Sequence, residues 1–187
     1  PYYNKPTQEG YFQHFSALAR ASSKPLVIYN VPGRTGGNIE AQTTLRLAKV
    51  DGIGGVKEAS GQMVQIMNIL AGAPRSFAVI SGDDALTYPM MACGARGVIS
   101  VTANLVPRLV ADCVHFAQSG DWDAARKVHE RLLPVHDAMF IESNPIPVKE
   151  AMNLAGLRVG GYRLPLTPIA PANRDKLKQV LTAAGVL

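Results

Sequence analysis

Ile53-Gly54-Gly55-Val56-Lys57, followed at once by Glu58-Ala59-Ser60-Gly61, is the stretch on which the reading of this chain turns. A short apolar run closes on a lysine, which predicts a buried strand with Lys57 at its carboxyl end. Ser60 then reads as the N-cap of the next helix. α/β barrels place their chemistry at the carboxyl ends of their strands. Burial there disfavours the ammonium form, so such a lysine can attack a carbonyl and form a Schiff base. The same position also suits a lysine that snorkels from the strand end into solvent.

A second run, Leu26-Val27-Ile28-Tyr29-Asn30-Val31-Pro32, leads into the turn Pro32-Gly33-Arg34-Thr35-Gly36-Gly37. Tyr29 sits near its carboxyl end, as Lys57 does on the later strand, so in a barrel both would face one mouth. A tyrosine beside a Schiff-base lysine shuttles protons, whereas a core tyrosine uses its hydroxyl on a backbone partner. Arg34, on the loop beyond, reads either as a bidentate carboxylate binder or as a surface arginine. A third strand ends in Ser81-Gly82-Asp83-Asp84. Helix capping by Asp83 is the simpler reading there, and the two aspartates disfavour phosphate. Gly82 leaves room for a ligand against the backbone. Ile99, in Gly97-Val98-Ile99-Ser100-Val101, reads as a core side chain whose carbonyl is placed to line the mouth.

The composition is that of an ordinary globular protein: 187 residues, 47% hydrophobic and 18% charged. No apolar run is long enough to span a bilayer, and none reads as a signal peptide. Cys93 and Cys113 form neither a CxxC pair nor a disulfide framework, which points to a reducing, cytoplasmic compartment. The net charge of +5 is spread from Lys5 to Lys178 without a basic run, so nucleic-acid binding is disfavoured; mild positive charge suits an anionic small molecule. His14, His115, His129 and His136 all fall in helical patterns without HxH or HExxH spacing, so no metal site is expected.

Strand signals at 26–31, 53–57, 77–81 and 97–101 alternate with helix signals at 8–20, 40–49, 61–71, 83–93 and 106–118. This alternation implies right-handed βαβ units and a parallel sheet. After Val101 the pattern turns helical: Asp121 caps a long helix in which Pro134 should produce a kink, Asn144-Pro145 opens another that ends at Gly156, and a last helix covers about 172–184. A complete (β/α)8 barrel takes about 250 residues. The opening Pro1-Tyr2-Tyr3-Asn4-Lys5-Pro6 reads as the loop after an earlier strand. The expectation is therefore the carboxyl-terminal portion of a TIM barrel, about four strands in residues 1–120, with a helical domain in 121–187.

Six motifs in order carry a family resemblance: Pro1–Pro6, Tyr29-Asn30-Val31-Pro32-Gly33-Arg34-Thr35-Gly36, Gly55-Val56-Lys57-Glu58-Ala59-Ser60-Gly61, Ser81-Gly82-Asp83-Asp84, Gly97–Asn104 and Asn144-Pro145-Ile146-Pro147-Val148-Lys149. The chain resembles the dihydrodipicolinate synthase (4-hydroxy-tetrahydrodipicolinate synthase) family of the pyruvate-dependent class I aldolases, which also include N-acetylneuraminate lyase. The resemblance implies a lyase of lysine and diaminopimelate biosynthesis that joins pyruvate to L-aspartate 4-semialdehyde, with no cofactor beyond a covalent lysine imine. By that resemblance Lys57 takes pyruvate, Tyr29 moves protons, and Tyr3 completes a neighbouring subunit's relay. Arg34 receives the aldehyde's carboxylate, Ile99 and Gly82 belong to the pyruvate pocket, and Tyr2 stands near a site for the feedback inhibitor L-lysine. It further implies a homo-oligomer, tetramer or dimer. The family's carboxylate-binding threonine pair belongs to strands preceding this sequence. A different pyruvate aldolase or lyase, or an inactive fragment carrying inherited motifs, are the alternatives.

Overall fold

A computed structural model describes residues 1–187. They divide into two compact units, Pro1–Ile99 and Ser100–Leu187. The first unit begins with α1 (Gln8–Ala21), whose N-cap Thr7 accepts a hydrogen bond from the Gly10 amide. β1 (Leu26–Asn30) follows, then the single turn α2 (Pro32–Thr35), α3 (Ala41–Leu47), β2 (Ile53–Glu58), α4 (Met63–Gly72), β3 (Ala78–Ser81) and, after a 3₁₀ turn at Asp84–Leu86, α5 (Thr87–Ala92). The strands form a parallel sheet in the order β1-β2-β3.

Successive side chains on a strand point to opposite faces. Ile28, Asn30, Val56, Glu58, Val79 and Ser81 are buried on one face, whereas Val27, Tyr29, Lys57 and Ile80 lie on the other, more open face. The buried core of this unit takes Ile28, Val56 and Val79 from the strands and Leu47, Ile66, Ile69 and Met90 from the helices. Gly55 is required where β2 meets β3, because a Cβ there would run into the Ala78 carbonyl oxygen.

The sequence-based expectation of about four strands is corrected to three. The 97–101 segment makes only a single parallel bridge, Ser81 to Val98, with the Ser81 amide donating to the Gly97 carbonyl (2.8 Å) and the Ile99 amide to the Ser81 carbonyl (2.9 Å). Beyond it the Ser100 hydroxyl accepts from the Ala103 amide and Val101 takes helical dihedrals, so the chain enters a 3₁₀ turn instead of extending. Two helix starts are also corrected. Ser60 does not cap α4; Gln62 does, and the Ser60 hydroxyl instead accepts from the Gln62 amide in the preceding turn. The helix expected at 83–93 is split, with Asp83 capping the 3₁₀ turn by accepting from the Ala85 amide.

The second unit holds the 3₁₀ turn Thr102–Asn104, α6 (Pro107–Ser119), α7 (Trp122–Ala138), α8 (Ile146–Leu154) and α9 (Pro171–Ala183). Its core gathers Leu105, Val135, Met139, Val148, Leu177 and Leu181. Asp121 caps α7 through the Ala124 amide, as its position suggested, and Pro134 lies within that helix. Gly156 takes a left-handed φ of 84° just beyond α8, where a helix end favours glycine. No helix is long and apolar enough to cross a membrane.

Candidate active site

Parallel pairing sets Tyr29 directly opposite Lys57, and Lys57 opposite Ile80. All three side chains fall on the open face, so the amine and the phenol ring meet although they stand 28 positions apart in sequence. The Lys57 Nζ lies 4.0 Å from the centroid of the Tyr29 ring. An ammonium at that distance is attracted by the negative face of the ring, which holds the lysine across the strand end. Lys57 is partly buried and Tyr29 is 46% exposed, so neither is the fully enclosed group that a buried strand end suggested.

Gly82 stands beside the same amine. A Cβ on it would come within 2.8 Å of the Ala59 Cβ and 3.0 Å of the Lys57 Cγ and Cε. The bare backbone of Gly82 therefore leaves the space the lysine stem occupies. Ile99 follows the bridge to Ser81 and is 47% exposed within residues 1–187. Lys57, Tyr29 and Gly82 are thus brought together at the carboxyl ends of the strands, with Ile99 on the segment hydrogen-bonded to the end of β3.

Tyr2, Tyr3 and Arg34 meet where the amino-terminal loop runs against α2. They line an open hollow of about 650 Å³ together with Lys5 and the backbone at Gly33 and Gly36. Arg34 is carried by the single turn α2, closed by Gly36 with φ 77°. Tyr3 itself has φ 71°, a left-handed conformation rare for a bulky residue, and its amide reaches the Thr35 carbonyl at 3.4 Å. Both tyrosine side chains project into solvent. Two basic groups and two phenols in one hollow suit an anionic ligand.

The sequence reading missed what lies on the opposite face. Asn30 pairs in register with Glu58, one step beyond Tyr29 and Lys57. Both are essentially fully buried. The Asn30 amide donates to the Glu58 carboxylate oxygens (3.2 and 3.0 Å) and to the Asn38 side chain (2.9 Å), and its own oxygen accepts from the Ile39 amide (3.0 Å). Glu58 also accepts from the Ser60 amide at 2.7 Å. Asn38 and Gln65 exchange hydrogen bonds, which extends the network to α4. The legible signal was a polar residue directly after each of the two site residues, at a position that strand alternation makes a buried one.

A parallel α/β sheet with an amine and a phenol at adjoining strand ends fits the α/β proteins that place their chemistry at the carboxyl ends of the strands, barrels among them. The family model for the dihydrodipicolinate synthetase family matches residues 1–184, and the chain belongs to that family. It is 52% identical over 187 residues to the 4-hydroxy-tetrahydrodipicolinate synthase of Koribacter versatilis, covering 100% of this chain and 62% of the relative. The fold matches the crystal structure of the chloride-inhibited dihydrodipicolinate synthase from Acinetobacter baumannii complexed with pyruvate, with TM-score 0.97, 43% identity and coverage of 100% of this chain and 64% of that one. It also matches the enzyme from Cyanidioschyzon merolae with lysine bound, with TM-score 0.95, 42% identity and coverage of 100% and 64%. The three strands are therefore part of a TIM barrel, and the chain spans 62–64% of the length of these curated relatives.

Proposed function

We propose that this protein condenses pyruvate with L-aspartate 4-semialdehyde to 4-hydroxy-tetrahydrodipicolinate, in lysine and diaminopimelate biosynthesis, through an imine on Lys57. The observation that carries the reading is the Lys57 amine 4.0 Å from the Tyr29 ring at the carboxyl ends of paired strands. Relatives bearing the synthase name at about half identity, and a neighbour crystallised with pyruvate, support it.

In this mechanism the Lys57 amine adds to the carbonyl carbon of pyruvate, and loss of water gives the iminium. The iminium withdraws electrons, so the methyl carbon gives up a proton and becomes an enamine carbon. That carbon attacks the aldehyde, and the new alkoxide takes up a proton. The amino group of the condensed aldehyde then attacks the imine carbon, closes the ring and releases Lys57. Tyr29 carries the protons between these steps. Gly82 and Ile99 shape the pyruvate pocket, and Arg34 receives the aldehyde's carboxylate. Tyr3 serves the relay of a neighbouring copy in a homo-oligomer, and Tyr2 stands by the site of an L-lysine inhibitor, the ligand carried by the Cyanidioschyzon merolae neighbour. The imine serves as the electron sink, with no metal or added cofactor. Residues 1–120 belong to the barrel and 121–187 to a helical domain, in a cytoplasmic enzyme.

The test is trapping. Pyruvate and borohydride should leave one carboxyethyl group, the reduced pyruvate imine, on the peptide of the full-length protein that contains Lys57, and Lys57→Ala should abolish that adduct. An undiminished adduct in the variant overturns the assignment.

A further inference from the structure

We propose that Glu58 and Asn30 are positioning residues for Lys57 and Tyr29: a buried cross-strand clamp on the far side of the sheet that fixes the register in which the amine meets the ring. The inference rests on the lysine-imine reading above.

Each residue of the clamp is adjacent in sequence to one residue of the site and paired with the other clamp residue across the ladder. Alternation puts the pair on the covered face, where Glu58 is 0% and Asn30 is 1% exposed. The ladder at the strand ends runs through the same two residues: the Ala59 amide donates to the Asn30 carbonyl (2.9 Å) and the Gly82 amide to the Glu58 carbonyl (2.8 Å). The backbone of Glu58 thereby joins Lys57 to Gly82, whose missing side chain the lysine stem requires. Both Glu58 oxygens act as acceptors, and the orientation of the Asn30 amide is fixed by its oxygen accepting from Ile39. Neither group can turn without leaving a buried polar atom unsatisfied. A loss of this bond therefore acts on Lys57 through the strand end, not through contact with substrate.

The experiment compares Glu58→Gln, Asn30→Asp and the double swap in the full-length protein, with kcat expressed per borohydride-trappable Lys57. In Glu58→Gln an amide donor faces the Asn30 donor, and in Asn30→Asp two carboxylates face one another; the double swap restores one donor to one acceptor. Each single variant should lose about 10- to 100-fold in kcat per trapped site, the scale of a misplaced reacting group. The double swap should recover part of that loss, since the bond that Asn30 donates to Asn38 stays missing. Leu47→Val, which loosens the core away from the sheet end, should leave kcat per trapped site unchanged. If Glu58→Gln yields no soluble protein, Asn30→Ala carries the same measurement. Wild-type kcat per site in the singles, or a double swap no better than the worse single, overturns the clamp while leaving the imine reading intact. Absence of any Lys57 adduct in the wild type overturns both.

Discussion

A tyrosine and a lysine far apart in sequence become one unit here because parallel pairing puts Tyr29 opposite Lys57 and alternation turns both to one face. The residue-scale consequence concerns the phenol. The ring gives Lys57 its place and the hydroxyl gives the reaction its proton carrier, so the two contributions separate. Tyr29→Phe keeps the ring beneath the amine and removes only the hydroxyl. Borohydride trapping should still mark Lys57, while turnover should fall by about 10²–10⁴-fold, the range for a lost acid–base group. Turnover near that of the wild type would reject the relay role. Lys57 and Tyr29 were legible because each closes an apolar run. The Asn30–Glu58 pair left only a polar residue one step past each of them, a signal that points to a partner only once the pairing register is known.

At the scale of elements, β1 and β2 were legible from apolar runs bounded by turn residues, and α6 and α7 from helical spacing with a capping Asp121. The segment at 97–101 has the same β-branched composition yet forms only a bridge, since Ser100 captures the Ala103 amide and starts a turn. Local side-chain hydrogen bonds of this kind compete with a ladder, and composition does not reveal which wins. β2 also has a tolerance limit at Gly55. Gly55→Ala drives a methyl group into the Ala78 carbonyl of β3 and should cost about 1–3 kcal/mol of stability, measured by urea unfolding. An unchanged midpoint would contradict the close approach. On α7, burial holds His129 below its usual value of 6.5, against an opposing pull from Glu130. Between the depressed native value and 6.5 the unfolded chain binds more protons than the folded one, so stability rises with pH across that window. Acidifying from about pH 7 to about pH 5 should lower the urea midpoint. His129→Gln should flatten that dependence, though not fully, since burial also depresses His14. An identical slope in the variant would remove His129 as a cause.

At the scale of the whole molecule, β1 ends the three-stranded sheet that residues 1–187 form. It pairs only with β2, and Val27 and Tyr29 on its open face are about half exposed. Unpaired backbone donors and acceptors along such a strand recruit other strands. A polypeptide of residues 1–187 alone should therefore self-associate, and sedimentation velocity should report species larger than 20.0 kDa in proportion to concentration. A monomer at every concentration would show the edge to be protected. The sheet also separates two kinds of inheritance. Neighbouring positions in β2 have different surroundings: Val56 and Glu58 lie on the buried face, whereas Lys57 and, across the ladder, Ile80 meet the open one. Replacements along the open face can drift toward a differently shaped ligand while the anchoring face stays untouched.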